Sequence, residues 1–168
     1  PRMDIATYSL AEIYSSESLY DTSLRKLNKI TPVSYYYLAA SLKKLSIKKL
    51  LLKRDDYGKL LFQKIKIWPE NESFLYKLAD YYKIRKEYKK SLKIYEKLIN
   101  QFPDNERLIF LYASNLDKVN KWKQAKNLFL GLLKKNPKDT YALNYISYKL
   151  ALRDEDLDYA LNLIKKAL

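Results

Sequence analysis

Along residues 72–168 the large apolar side chains recur at intervals of three and four, and the whole pattern recurs after 34 residues. Leu75, Leu78, Ala79 and Tyr82 mark one face of a helix, and Tyr88, Ser91, Tyr95 and Leu98 mark one face of a second. One period later the two sets read Ile109, Tyr112, Ala113, Leu116 and then Trp122, Ala125, Phe129, Leu132. A third copy opens with Leu143, Ile146, Ser147 and Leu150; one extra residue falls within 153–157, and Leu157, Ala160, Ile164 and Ala167 resume the pattern. Short polar stretches such as 83–87 separate the two faces and permit a tight reversal. Pro69, Pro103 and Pro137 also stand 34 apart. Proline disfavours helix in the residue before it, so each one stops a second helix. Two residues further on, Asn71, Asn105 and Asp139 offer acceptors for the free N–H groups of a new helix. The small residues let antiparallel helices approach closely where they cross. A single hairpin cannot bury both of its apolar faces, so the copies must stack into a solenoid.

Residues 1–70 keep helical periodicity and lose the exact motif. Ile5, Tyr8, Ala11 or Ile13, and Tyr14 suit a first helix. Ser18 to Asp21 reads as a capping-box start for a second, carrying Leu19, Leu24, Leu27 and Ile30. Thr31-Pro32 closes that hairpin and opens the next helix, where Tyr35, Leu38, Ala39, Leu42 and Leu45 repeat the small-between-large pattern. Asp55-Asp56-Tyr57 resembles an inter-helix turn of a further degenerate repeat, whose second helix ends at Trp68-Pro69. The expectation is two divergent helical hairpins over 1–70, continuous with the array over 71–168; a separate small bundle is the alternative. No Gly- or Ser-rich linker divides the halves, which favours continuity.

The segment 72–168 resembles the tetratricopeptide repeat (TPR) family, with copies at 72–105, 106–139 and an incomplete 140–168. That motif wants large, Leu, small and aromatic or Leu at positions 4, 7, 8 and 11, then small, aromatic, Ala and Pro at 20, 24, 27 and 32. In the first copy these are Leu75, Leu78, Ala79, Tyr82, Ser91, Tyr95, Leu98 and Pro103. Tyr112, Ser147, Leu98 and Leu132 depart from it in volume only. The resemblance implies an all-α protein, an α-solenoid of antiparallel helical hairpins with about ten helices. The stretch 142–151, followed by Leu157-Asp-Tyr-Ala-Leu, is similar to the copies of bacterial envelope TPR proteins, which implies an envelope-associated or periplasmic location ahead of a cytoplasmic one.

What the resemblance implies about function is binding of another protein or peptide through the concave face, lined by the first helix of each copy. In the first copy that face holds Tyr76, Lys77, Asp80 and Lys83; in the second, Arg107, Phe110 and Ser114; in the third, Tyr141, Asn144, Tyr145 and Tyr148. Aromatic and cationic side chains are common interface anchors, so the expected partner segment is acidic or aromatic. The competing reading is that several of these tyrosines pack on neighbouring helices or face water. Copies that grip a chaperone's terminal carboxylate need Lys and Asn where Tyr76 and Asp80 stand, and an Asp would repel that group.

Charge changes the picture in one respect. The chain has 33 Lys and Arg against 19 Asp and Glu, a formal net charge of +14. Lys86, Lys89, Lys90, Lys93 and Lys97, with Lys123 and Lys126 in the next copy, could form a cationic stripe for nucleic acid or an anionic membrane surface. Lys43, Lys44, Lys48, Lys49, Lys53 and Arg54 add charge upstream. Lysine outnumbers arginine 27 to 6, though, whereas phosphate recognition favours arginine forks. A solvated helix face is the plainer account, and polyanion binding stands as the alternative to protein binding.

The composition excludes most catalytic chemistry. With no His and no Cys there is no catalytic triad, thiol nucleophile, histidine metal site or disulfide. Gly58 and Gly131 are the only glycines, too few for a phosphate-cradling loop. The chain is expected to be non-catalytic, with no cofactor and no metal site. The apolar run Leu50-Leu51-Leu52 is hemmed by lysines and cannot span a membrane. A chain opening on Pro1 reads as a fragment or processed form. Leu161, Leu163, Ile164, Ala167 and Leu168 have no later helix to cover them, which predicts a continuing chain, a docked partner or self-association.

Overall fold

The computed structural model describes residues 2–168. Pro1 and the side chains of Arg2 and Arg54 lie outside the described residues, and with them the reading of the chain start and Arg54's share of the upstream basic run. Among the described residues there are ten helices and no strand: α1 (Arg2–Ser16), α2 (Tyr20–Leu27), α3 (Tyr37–Leu51), α4 (Arg54–Ile67), α5 (Glu72–Ile84), α6 (Tyr88–Gln101), α7 (Glu106–Lys118), α8 (Trp122–Lys135), α9 (Thr140–Leu152) and α10 (Leu157–Ala167). Consecutive helices pair as antiparallel hairpins, the all-α solenoid architecture. The helices form two compact units, residues 1–77 and 78–168, and α5 runs across the boundary.

Helix starts follow the sequence period. α5, α7 and α9 begin at 72, 106 and 140, and α6 and α8 at 88 and 122, each 34 apart. The extra residue delays α10 to Leu157. The three predicted caps are in place. Asn71 Oδ1 accepts from the Phe74 N–H at 3.3 Å and Asn105 Oδ1 from the Leu108 N–H at 3.1 Å. Asp139 Oδ1 accepts from the N–H groups of Tyr141 and Ala142 at 3.0 and 3.1 Å.

In residues 1–77, Ala11, Leu24, Leu27, Ile30, Ala40 and Ile47 form the buried cluster. Trp68 sits between Tyr37 and Phe74, with ring centroids 5.6 and 5.1 Å away. Three local expectations need correction. The capping box at Ser18 is absent: Leu19 is the cap residue of α2 and makes no side-chain cap bond, because Ser18 is used to turn the chain, at φ 62°. Thr31-Pro32 opens a run of turns, so α3 starts only at Tyr37; Tyr35 stays exposed, and Ala40, not Ala39, is the fully buried small residue. Asp55, Asp56 and Tyr57 lie in the first turn of α4, where carboxylates face the positive end of the helix dipole.

Residues 78–168 share one core, built from Leu92, Ala113, Leu116, Ala125, Phe129, Leu132, Leu143, Ile146, Leu150, Leu163 and their neighbours. Ser91 on α6 donates its hydroxyl to the Ala79 carbonyl at 2.8 Å where the two helices cross, and Asn115 of α7 donates to that hydroxyl at 2.9 Å.

One turn recurs four times. Lys86, Asn120 and Asp154 have φ of 61°, 61° and 55°. The next residue's N–H reaches back to the carbonyl five residues earlier: Glu87 to Tyr82, Lys121 to Leu116, Glu155 to Leu150. This is the Schellman closure, which satisfies carbonyls left open at a helix end. The α1–α2 turn is built the same way, with Ser18 left-handed and Leu19 N–H on the Tyr14 carbonyl at 2.8 Å, two periods upstream of Lys86. Ser23 likewise donates to the Ala11 carbonyl at 2.7 Å, as Ser91 does to Ala79. The α3–α4 connection differs: Leu52 is extended, with ψ 153°.

Candidate partner-binding surface

Within residues 78–168 the first helices, α7 and α9, place the predicted contact residues at different depths. Tyr141, Asn144 and Tyr148 are exposed on α9, together with Leu152 one turn further on. Arg107 is exposed on α7. Phe110 and Tyr145 are half-buried and meet edge to face at 5.7 Å, and both rings also touch the core residue Phe129, at 5.3 and 4.6 Å. Ser114 is buried and donates its hydroxyl to the Leu111 carbonyl of its own helix at 2.8 Å. Asp80 and Lys83 are half-buried on α5. Tyr76 and Lys77, also half-buried, belong to the other unit, where the Lys77 ammonium donates to Ser46 Oγ at 3.0 Å.

Beneath the aromatic rings lies a buried carboxylate. Asp117, near the end of α7, accepts hydrogen bonds from Tyr145 Oη at 3.1 Å, Lys149 Nζ at 2.6 Å and Arg153 Nη2 at 2.9 Å. Two cations of the third copy thus meet one buried anion of the second. Burial pushes the Asp117 carboxyl up, but the hydrogen bonds and charges of Lys149 and Arg153 outweigh it and hold the group below its ordinary value. Burial and the Asp117 charge raise the Tyr145 phenol well above its ordinary value, so it stays a neutral donor.

The network continues outward. The Arg153 guanidinium lies over the Trp122 ring, 5.0 Å from its centroid. The Trp122 indole N–H donates to both oxygens of Glu155, at 3.0 and 3.1 Å, and Lys126 Nζ adds a third contact to Glu155 at 3.2 Å. Those hydrogen bonds, led by Trp122's, hold the Glu155 carboxyl below its ordinary value. α7, α8, α9 and the turn into α10 are thereby tied through side chains. Sequence reading did not single out Asp117 or Glu155 as site residues, and it missed Lys149, Arg153 and Trp122 as their partners. A weak signal existed: the cations lie 32 and 36 residues beyond the Asp, either side of one repeat length.

The lysines of the predicted stripe do not share one environment. Lys86, Lys89, Lys93 and Lys123 are exposed. Lys97 is half-buried. Lys90 is bound to Glu87, which Arg85 also contacts at 2.7 Å, and Lys126 is bound to Glu155. Upstream, the Lys44 and Lys64 ammonium groups both approach the Tyr37 ring, at 6.0 and 5.7 Å; burial and the Lys64 charge lower the Lys44 pKa from its ordinary value. No helix among the described residues is long and apolar enough to cross a membrane.

No family model matches the chain, and no curated protein does. Solved structures do. MamA residues 41-end from Desulfovibrio magneticus RS-1 superposes with a TM-score of 0.79 at 12% identity, covering 99% of this chain and 94% of that one. MamA MSR-1 gives 0.70 at 18% identity, over 98% and 94%. A tetratricopeptide repeat protein from Parabacteroides merdae gives 0.80 at 14% identity, over 99% of this chain and 66% of that one. At such identities the likeness is one of backbone: this chain has the tetratricopeptide-repeat fold.

Proposed function

We propose that the chain is a non-catalytic scaffold that binds another protein through the exposed face of α9 and the adjoining part of α7. The observation that supports this most directly is the row Tyr141, Tyr148 and Leu152, which are 78%, 61% and 64% exposed along one side of α9. Large aromatic and apolar groups held in water on a rigid helix are costly unless something covers them. The helix under them is tied down, with Tyr145 and Lys149 on its inner side and Arg153 at its C-cap all bonded to Asp117. The Arg107 guanidinium on α7 adds a cation at the edge, which suits a partner segment bearing apolar and acidic residues.

The test is capture from a lysate of the source organism, with nuclease, across a salt series, comparing the wild-type chain with Tyr141→Ala/Tyr148→Ala. The expected outcome is a protein retained at high salt by the wild type and lost by the double variant, with both baits equally stable. Retention that disappears with nuclease or moderate salt, and is indifferent to the tyrosines, would replace this reading with polyanion binding, because counterion release makes such binding steeply salt-dependent.

A further inference from the structure

The back of the last hairpin, α9–α10, holds a site of different character. α8 and α10 both pack against α9, and between them lies a cavity of about 260 Å³. The apolar part of its wall is Leu130 and Leu133 from α8, Pro137 after it, Leu143 from α9 and Leu163 from α10, with the Tyr159 ring alongside. Leu143 and Leu163 are buried, while Leu130, Leu133 and Tyr159 are only half-buried, so part of the lining is still wet.

Two cations border this apolar space, Lys134 from α8 and Lys166 from α10, both exposed. Among the described residues neither has a carboxylate partner; the neighbouring Lys135, by contrast, is bound to Asp104 at 3.0 Å. The helical walls have their backbone groups internally bonded, so they offer no row of donors and acceptors to an extended peptide. What the site can select is an apolar body with negative charge at one end. An enclosed cavity of about 150 Å³ is enough to hold benzene, so this one admits a longer body, on the scale of a short alkyl chain.

We propose that the cavity between α8 and α10 binds a free medium-chain carboxylate, its alkyl tail against the four leucines and its head group between Lys134 and Lys166. The site is separate from the exposed face of α9 and stands or falls independently of the scaffold reading.

Titration calorimetry of the whole chain with octanoate tests it, with octanol and octylammonium as comparisons and methyl chemical shifts of Leu130 and Leu163 as the position marker. Saturable octanoate binding is expected, with shifts at those methyls and with octylammonium failing to bind. Lys134→Glu/Lys166→Glu should weaken octanoate roughly tenfold, two modest ion pairs' worth. Lys138→Glu/Lys165→Glu, the same change in net charge nearby, should leave it unchanged. Leu133→Trp should abolish binding by filling the space; if that variant fails to fold, the methyl shifts of the wild type decide the location. Absence of saturation, equal binding of octylammonium, equal weakening in the control pair, or shifts confined to other methyls would each overturn the proposal.

Discussion

Asp117 is a carboxylate that water hardly touches, yet it is charged, because Lys149, Arg153 and Tyr145 all donate to it. Truncating one member of such a cluster strands the others. A fully buried pair broken this way costs about 3–5 kcal/mol. Here Arg153 is partly exposed and can relax toward water, so Asp117→Ala should cost about 2 kcal/mol, read as a fall in urea midpoint at constant m-value. The same group sets an acid limit. Its folded-state pKa is depressed, so its contribution is complete above the unfolded value of about 4 and is lost as pH falls through the folded value. Asp117→Asn should therefore lose stability at neutral pH and show a flatter stability curve below about pH 4 than the wild type. Little of this was legible beforehand. Sequence alone showed an Asp on a helix face; that its partners sit on the next repeat's first helix depends on how the hairpins stack, which spacing does not specify to within one side chain.

The elements were more readable than the residues. The 34-residue period located the starts of α5 to α9, because proline, cap and apolar stripe all pointed to the same boundaries. The second helical hairpin was read poorly because its turn chemistry differs: α3 follows a run of turns, and Leu52 is extended where the other hairpins have a left-handed residue. The first hairpin hid its regularity for another reason. Its closure at Ser18 and its Ser23–Ala11 hydrogen bond match those of α5–α6 two periods later; the closure is a backbone bond that many residues can make, and the one side-chain trace is the Ala11 and Ser23 pair standing where Ala79 and Ser91 recur. All four left-handed closures use a residue other than glycine, at a conformation that costs a β-carbon roughly 1 kcal/mol or more. Lys86→Gly should consequently stabilise the chain by about 0.5 kcal/mol, the relief of strain exceeding the added freedom of the unfolded chain. Lys86→Val should destabilise it by about 1 kcal/mol or more, since a β-branched side chain fits that region worst. Thermal unfolding of the two variants checks both signs.

At the scale of the whole molecule, the candidate contact face divides by depth. Tyr141 and Tyr148 project into water, Phe110 and Tyr145 pack inward on Phe129, and Ser114 is enclosed. Both parts of the competing reading are therefore seen, packing inward and facing water, in different members of one row. Position within the motif identified the helix face but not the depth of each residue, which follows from the size of its neighbours on α8. Within the predicted cationic stripe, Lys90 and Lys126 are engaged with Glu87 and Glu155, while Lys86, Lys89, Lys93 and Lys123 are exposed.

The recurring closure has a mechanical consequence. Each one joins residues five apart, and the side-chain tie of Asp117 to Arg153 spans only 36. Tension applied to the ends of that unit therefore meets short, serial fasteners rather than one clamp shared by the whole body. Pulling in an optical trap should release its hairpins in succession at low force, with Asp117→Ala lowering the force of the step that separates α7 from α9 and leaving the α5–α6 step unchanged. A single high-force rupture would mean that the hairpins share their load.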